Sequence, residues 1–191
     1  MTRRIIVGIS GSTGAIYGAR LLEVLRDLSD IESHLVMSSA ARTTIEYEMD
    51  QDPDEIAALA DVVYDERNVG AAIASGSFLT EGMIVAPCSM RSLSSIANSL
   101  NDTLLTRAAD VCLKERRRLV LLARETPLHS GHLRLMLECT NAGAVILPPS
   151  PAFYHRPQKI LDIVDQTLGK ALDLFGIDAG LFERWEGIQK A

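Results

Sequence analysis

Ile5-Ile6-Val7-Gly8-Ile9-Ser10-Gly11-Ser12-Thr13-Gly14-Ala15 is the stretch that decides the fold. Its first five residues are a short β-branched run of the kind that forms a strand buried on both faces. Gly11 and Gly14 then break it, and Leu21, Leu22, Val24, Leu25 and Leu28 follow at helical spacing. Strand, glycine turn and helix in that order form the first half of a βαβ unit, and the same alternation recurs down the chain. His34–Met37 reads as a second strand, with Ser38 or Ser39 capping a helix that runs to about Met49. Pro53 suits the first turn of a short helix reaching Leu59, and Asp61–Tyr64 reads as a third strand. Met83–Ala86 is a strand that Pro87 should stop, with helices from Ser89 and from Asp102 to Arg117. Leu119–Leu122, a helix from His129 to Asn141, and Ala144–Leu147 come next, before a last helix from Pro157 to Leu174.

Strands of four or five residues alternating with helices imply an α/β fold: a Rossmann-like, doubly wound parallel sheet in a three-layer sandwich. At 191 residues one domain spanning 1–191 is expected, because chains split beyond roughly 250–300 residues. Hydrophobic residues make up 47% and the net charge is −6, a balance that excludes intrinsic disorder and argues against a nucleic-acid binder. No run reaches the ~18 apolar residues of a membrane helix. The basic start, Thr2-Arg3-Arg4, leads into an apolar stretch cut short by Gly8, unlike a signal peptide. Three widely spaced cysteines, Cys88, Cys112 and Cys139, fit free thiols in a reducing compartment, so a cytoplasmic protein without a metal site is expected.

In such a sheet, ligands sit beyond the carboxyl ends of the strands where the strand order reverses. The segments expected to converge there are Ser10–Ala15, Ser38–Ser39, Pro87–Ser92, Arg124–Pro127 and Pro148–Tyr154. The glycine turn offers N–H groups to an anion. It is not GxGxxG, and no acidic residue ends the second strand, so a mononucleotide phosphate fits better than a nicotinamide dinucleotide. Ser89 reads as an N-cap and Cys88 as a buried small residue, with no histidine nearby in sequence to activate it. The run Lys114–Arg118 suits a helix end and is mostly solvated surface. Arg124-Glu125 places a charge pair at a strand's carboxyl end. The Pro148–Pro157 loop is either a stiff connection with Phe153 packed inside or a pocket wall with the Tyr154 hydroxyl at its edge.

Taken together, Gly11–Ala15, Pro87-Cys88-Ser89, Arg107–Asp110, Leu113–Arg117, Arg124-Glu125 and Phe153-Tyr154-His155-x-Pro157 resemble the UbiX flavin prenyltransferase family from Ile5 to Trp185. The resemblance implies a metal-independent prenyltransferase: the dimethylallyl group of dimethylallyl monophosphate joins N5 and C6 of reduced FMN, and phosphate leaves. It also implies that the prenylated FMN serves a UbiD-type decarboxylase, in ubiquinone synthesis or aromatic-acid breakdown, and that the enzyme is a homo-oligomer, a dodecamer.

By position, the resemblance assigns FMN to Ser12, Thr13, Gly14, Ser38, Ser89, Met90, Arg91, Ser92 and Arg124. It assigns the prenyl phosphate to Lys114, Glu125, Tyr154 and Lys170, with Arg107 reaching in from a neighbouring subunit. Glu48, Glu125 and Lys114 would be catalytic, Glu48 lying near the dimethylallyl group, and Trp185 would cover the site. Thr13 stands where serine is usual and keeps the hydroxyl. Lys170 stands where arginine is frequent and replaces a bidentate fork with a point charge. Two other classes share this fold: an FMN-dependent decarboxylase of a cysteine-derived substrate, and a non-catalytic flavin-carrier subunit of a decarboxylase. The first typically carries Pro-Ala-Ser-Ala-Asn-Thr where this chain has Pro87-Cys88-Ser89-Met90-Arg91-Ser92.

Overall fold

A computed structural model describes residues 2–184 and Gly187. Six strands form one all-parallel sheet: β1 (Arg3–Ile9), β2 (Ile31–Met37), β3 (Val62–Tyr64), β4 (Gly82–Cys88), β5 (Arg118–Ala123) and β6 (Val145–Ile146). Their order is β3-β2-β1-β4-β5-β6. The helices are α1 (Ala15–Arg26), α2 (Ser39–Met49), α3 (Pro53–Ala57), α4 (Met90–Ala97), α5 (Leu104–Lys114), α6 (Ser130–Ala142) and α7 (Ile160–Asp173), with one 3-10 turn at Ala72–Ala74.

The period-2 geometry of β1 explains the layers. Ile5, Val7 and Ile9 point into one core with Leu21, Leu22 and Leu25 of α1 and Leu168 and Leu172 of α7. Ile6 points the other way, into a second core with Met83, Val85, Leu93 of α4, Leu105 of α5 and Cys139 of α6. Each such side chain, fully withdrawn from water, contributes ~1.5–3 kcal/mol, so the central strands anchor both layers. The order reverses between β1 and β4: from β1 the chain winds towards β2 and β3, and β4 starts the other wing. The crevice expected from sequence therefore lies between the carboxyl ends of these two strands. Among the described residues no helix is long and apolar enough to cross a membrane.

Four details differ from the sequence reading. Pro87 does not stop β4. The strand runs on to Cys88 with a register shift between Val85 and Cys88, because a residue lacking an N–H is tolerated at a bulge. The helix expected to reach Arg117 ends at Lys114, as Arg116 turns left-handed at φ 59°. The last helix begins at Ile160 rather than Pro157, since the Asp162 carboxylate captures the N–H groups of Gln158 and Lys159 (2.8 and 3.1 Å) and fixes its start there. Phe153 is not packed inside; it is 67% exposed.

Candidate functional site

Four strand ends are laced together at the reversal point. The backbone N–H of Ser10 donates to the Pro87 carbonyl (3.2 Å), and its hydroxyl donates to the same oxygen (2.9 Å) while accepting the N–H of Ser89 (2.7 Å). On the flanks, the N–H of Ser38 donates to the Ile9 carbonyl (2.9 Å) and that of Arg124 to the Cys88 carbonyl (3.1 Å). Ser10 itself is buried. Nothing in the sequence singles it out from its hydroxyl-bearing neighbours; its role arises only when β4 bulges beside it.

The glycines of the turn do separate jobs. A Cβ on Gly11 would lie 2.4 Å from the Ala40 Cβ, so α2 can pass this close only because Gly11 has none. Gly14 sits at φ 99° as the residue before α1, a left-handed conformation that suits glycine. Gly18, which the sequence reading passed over, lies in α1 where a Cβ would stand 2.4 Å from the Ala86 carbonyl oxygen. It seats α1 directly on β4. The spacing Gly11-x2-Gly14-x3-Gly18 thus performs the tasks of tight turn, close approach and helix–strand packing without matching the dinucleotide pattern.

Between these ends lies a cleft of about 280 Å³, lined among others by Gly11, Ser38, Ser39, Ser89, Arg91 and Thr103. Ser38, Ser89 and Thr103 are the N-caps of α2, α4 and α5. Three positive helix ends therefore face one volume. Arg91 adds a guanidinium that makes no ion pair among the described residues. The Ser12 hydroxyl is shut away from water without a partner, an orphaned donor beside the glycine turn. This is the chemistry of an anion site, and it fits a flavin mononucleotide's phosphate and hydroxyl-bearing chain.

Glu48 joins this group from the far end of α2. Its carboxylate accepts the N–H groups of Gly14 (2.8 Å) and Ala15 (3.1 Å) and so caps α1, which has no cap of its own. Burial works to raise its pKa, but the Thr13 hydroxyl, these two N–H groups and the nearby Arg124 charge outweigh it and hold the carboxyl below its ordinary range. Thr13, Gly14, Glu48 and Arg124 are thereby brought together. Glu125 is not: it is exposed, and its carboxylate accepts the N–H of Thr126 (3.0 Å).

The remaining residues form two separate groups. The Tyr154 hydroxyl accepts from the Gln166 amide (3.2 Å). Lys170 stands one turn further along the same face of α7, 3.9 Å from Asp173. Arg107 donates to the Ala74 carbonyl (3.2 Å) and pairs with Asp110 (3.1 Å). Lys114 pairs with Glu115 beside Gly76. Because α5 returns antiparallel to the strands, Lys114 lies just before β5, at the amino edge of the sheet. A strand of seven residues spans ~23 Å, so one chain keeps Lys114 about that far from its own glycine turn. The run around it is not all solvated, since Arg117 donates to the Gly76 and Phe78 carbonyls. Trp185 lies outside the described residues.

Cys88 is fully buried, with its thiol pushed well up by burial. Cys112 and Cys139 are likewise buried, and burial raises them to about 12 and about 11. Burial favours the thiol form of all three and none lines the cleft, which argues against nucleophilic cysteine chemistry there.

Comparison with known proteins agrees with this geometry. The family described as Flavoprotein matches residues 1–173. Flavin prenyltransferase UbiX of Escherichia coli K12 is 60% identical over 187 residues, covering 97% of this chain and 99% of the relative. A crystallised protein, AnUbiX (PadA1), in complex with FMN and dimethylallyl pyrophosphate, superimposes with a TM-score of 0.96 at 53% identity, covering 99% of this chain and all of that one. A dodecameric FMN-dependent UbiX-like decarboxylase from E. coli O157:H7 gives a TM-score of 0.94 at 47% identity, covering 96% of this chain and 100% of that one. With the cleft, the glycine turn and the Glu48 seat already placed at the reversal point, near-complete matches of this strength establish that the chain is an FMN-binding flavoprotein enzyme and belongs to the UbiX family of flavin prenyltransferases.

Proposed function

We propose that this chain joins the dimethylallyl group of dimethylallyl monophosphate to reduced FMN at N5 and C6, releasing phosphate, and passes the product to a UbiD-type decarboxylase. The observation that carries this reading is the cleft where the N-caps Ser38, Ser89 and Thr103 meet the unpaired Arg91. The cleft holds about 280 Å³, somewhat less than the ~300–1,000 Å³ of sites that enclose a whole ligand. One chain therefore cradles part of the flavin, and a neighbouring copy completes the wall, as a dodecamer would allow.

In this reading Ser12, Thr13, Gly14, Ser38, Ser89, Met90, Arg91, Ser92 and Arg124 hold FMN. The bound, reduced flavin supplies the nucleophilic N5 and C6. Breaking the allylic C–O bond leaves positive charge on the prenyl fragment and negative charge on the departing phosphate. Glu48, kept ionised at the head of α1, stabilises the former. Tyr154, held from the preceding loop by Gln166 of α7, and Lys170 of α7 grip the latter. Arg107 and Lys114 reach the donor from a neighbouring subunit, because within one chain Lys114 sits on the opposite edge of the sheet. Glu125, exposed and accepting the N–H of Thr126 in its own loop, moves a proton to or from the phosphate. Holding flavin and donor together contributes up to ~7–11 kcal/mol to the rate.

The test is anaerobic incubation of the purified protein with reduced FMN and dimethylallyl monophosphate, followed by mass spectrometry of the released flavin. A flavin heavier by one isoprene unit, with phosphate released, is expected. Unmodified flavin despite tight FMN binding would overturn the reading.

A further inference from the structure

The phosphate-binding cleft has a neighbour. A second cavity, of about 580 Å³, opens at the carboxyl ends of β2 and β3, lined by Met37, Ala57, Val63 and Tyr64 with Arg42 and Arg67 at its rim. Both cavities share two wall residues, Ser39 and Glu66. The Glu66 carboxylate accepts the N–H of Ser39 (3.1 Å), so it sits on the first residue of α2. Its backbone carbonyl accepts the N–H of Leu104 (2.7 Å), which ties the base of the partition to the start of α5.

We propose that Glu66 makes this site selective for a flavin mononucleotide over a flavin dinucleotide. The inference rests on the FMN reading above and adds to it the residue that sets the length of cofactor accepted. Size alone would not exclude the longer molecule. The second cavity has the apolar wall and the aromatic side chain that an adenine ring needs, while its two arginines are held in ion pairs, Arg42 with Asp54 (2.8 Å) and Arg67 with the lining residue Asp65 (3.2 Å). What stands between is a carboxylate. One phosphate can bind on the Ser38, Ser89 and Arg91 side while Glu66 stays on Ser39. A second phosphate, linked to the first, must approach the shared wall, where it meets Glu66 as a like charge and finds the Ser39 N–H already taken. Juxtaposed like charges discriminate between ligands that are otherwise equally complementary.

The experiment titrates riboflavin, FMN and FAD separately into the full-length protein, reading quenching of flavin fluorescence, for the native chain and for Glu66→Gln and Glu66→Ala. Riboflavin carries no phosphate and reports whether the flavin pocket itself survives each substitution. The native protein should bind FMN at least ~100-fold more tightly than FAD. Glu66→Gln keeps the bulk and removes the charge, and should raise FAD affinity by ~10-fold or more while FMN changes less than ~3-fold and riboflavin not at all. Glu66→Ala should do the same or more, and it stands in if the glutamine variant fails to fold. An unchanged FAD-to-FMN ratio in both variants would overturn the proposal while leaving the FMN site intact. A gain confined to Glu66→Ala would overturn the charge argument as well. A native protein that binds no flavin at all would instead defeat the FMN reading on which this rests.

Discussion

Ser10→Ala removes one oxygen and should cost more than its size suggests. The Ser10 hydroxyl accepts the Ser89 N–H at 2.7 Å and donates to the Pro87 carbonyl at 2.9 Å, in a position shut off from water. The Pro87 carbonyl keeps a second donor, the Ser10 N–H, so its loss is mild. The Ser89 N–H, in a half-buried residue, loses this partner, and a donor left unpaired there costs ~1–3 kcal/mol. Adding the loss of the second bond, at ~0.5–1.5 kcal/mol, gives about 1.5–4.5 kcal/mol. For a chain of this length each kcal/mol lowers Tm by ~2–4 °C, so a fall of roughly 3–18 °C is expected. Differential scanning calorimetry measures it, with Ser89→Ala as the comparison: that change removes only a cap, worth ~1 kcal/mol. Because Ser89 heads the helix that faces the cleft, Ser10→Ala should also weaken FMN binding, whereas a purely structural serine elsewhere would not. A Tm within a degree of the native protein's would refute the idea that this hydroxyl ties β1 to β4.

Glu48 gives a pH prediction. Its folded pKa lies below the unfolded value, so its contribution to stability is complete above the ordinary glutamate value of ~4.3 and is lost as pH falls through the depressed folded value. Urea unfolding at pH 7 and pH 3 should show the native protein more stable than Glu48→Gln at pH 7, with a smaller gap at pH 3; a gap that widens on acidification would contradict the seat on α1. The shared-site reading gives another. Lys114→Ala and Arg124→Ala should each abolish prenyl transfer, yet co-assembled in equal amounts they should recover about a quarter of native activity, since random pairing of a site across two chains leaves that share whole. No recovery would mean that one chain supplies both residues.

Much of the fold was legible because its signals are local. The β-branched run at Ile5–Ile9, the glycines after it, and Ser38 and Ser89 ahead of their helices each announce an element within a few residues. The reversal point followed from alternation alone, and the segments Ser10–Ala15, Ser38–Ser39, Pro87–Ser92 and Arg124 do meet there. The features that sequence reading missed depend on contacts made far along the chain. Ser10 and Ser89 are 79 residues apart; Glu48 reaches Gly14 across 34. Gly18 is required by the Ala86 carbonyl of another element. The sequence left Phe153 open between an interior position and a pocket-wall loop, because burial of a loop residue depends on what packs over it; the side chain is in fact exposed.

Lys114 shows how a resemblance by position and the direction of the chain must be combined. Position placed it with Tyr154 and Lys170 at the donor phosphate. The crossover rule, applied to α5, sends it to the other edge: a helix that links two parallel strands must run back against them, and its last turn ends where the next strand begins. The two statements are compatible only if the donor phosphate lies where the amino edge of one chain meets the carboxyl edge of another. That arrangement has a chemical consequence. A cleft open on one side leaves an allylic cation exposed to water, whereas one closed by a second copy brings in the cations that draw off the phosphate and the wall that keeps water out in the same step. On the proposed reading an isolated chain should bind flavin but transfer nothing, which would make assembly a requirement of the chemistry rather than of the fold; an assembly-breaking variant that keeps both FMN and prenyl transfer would contradict it.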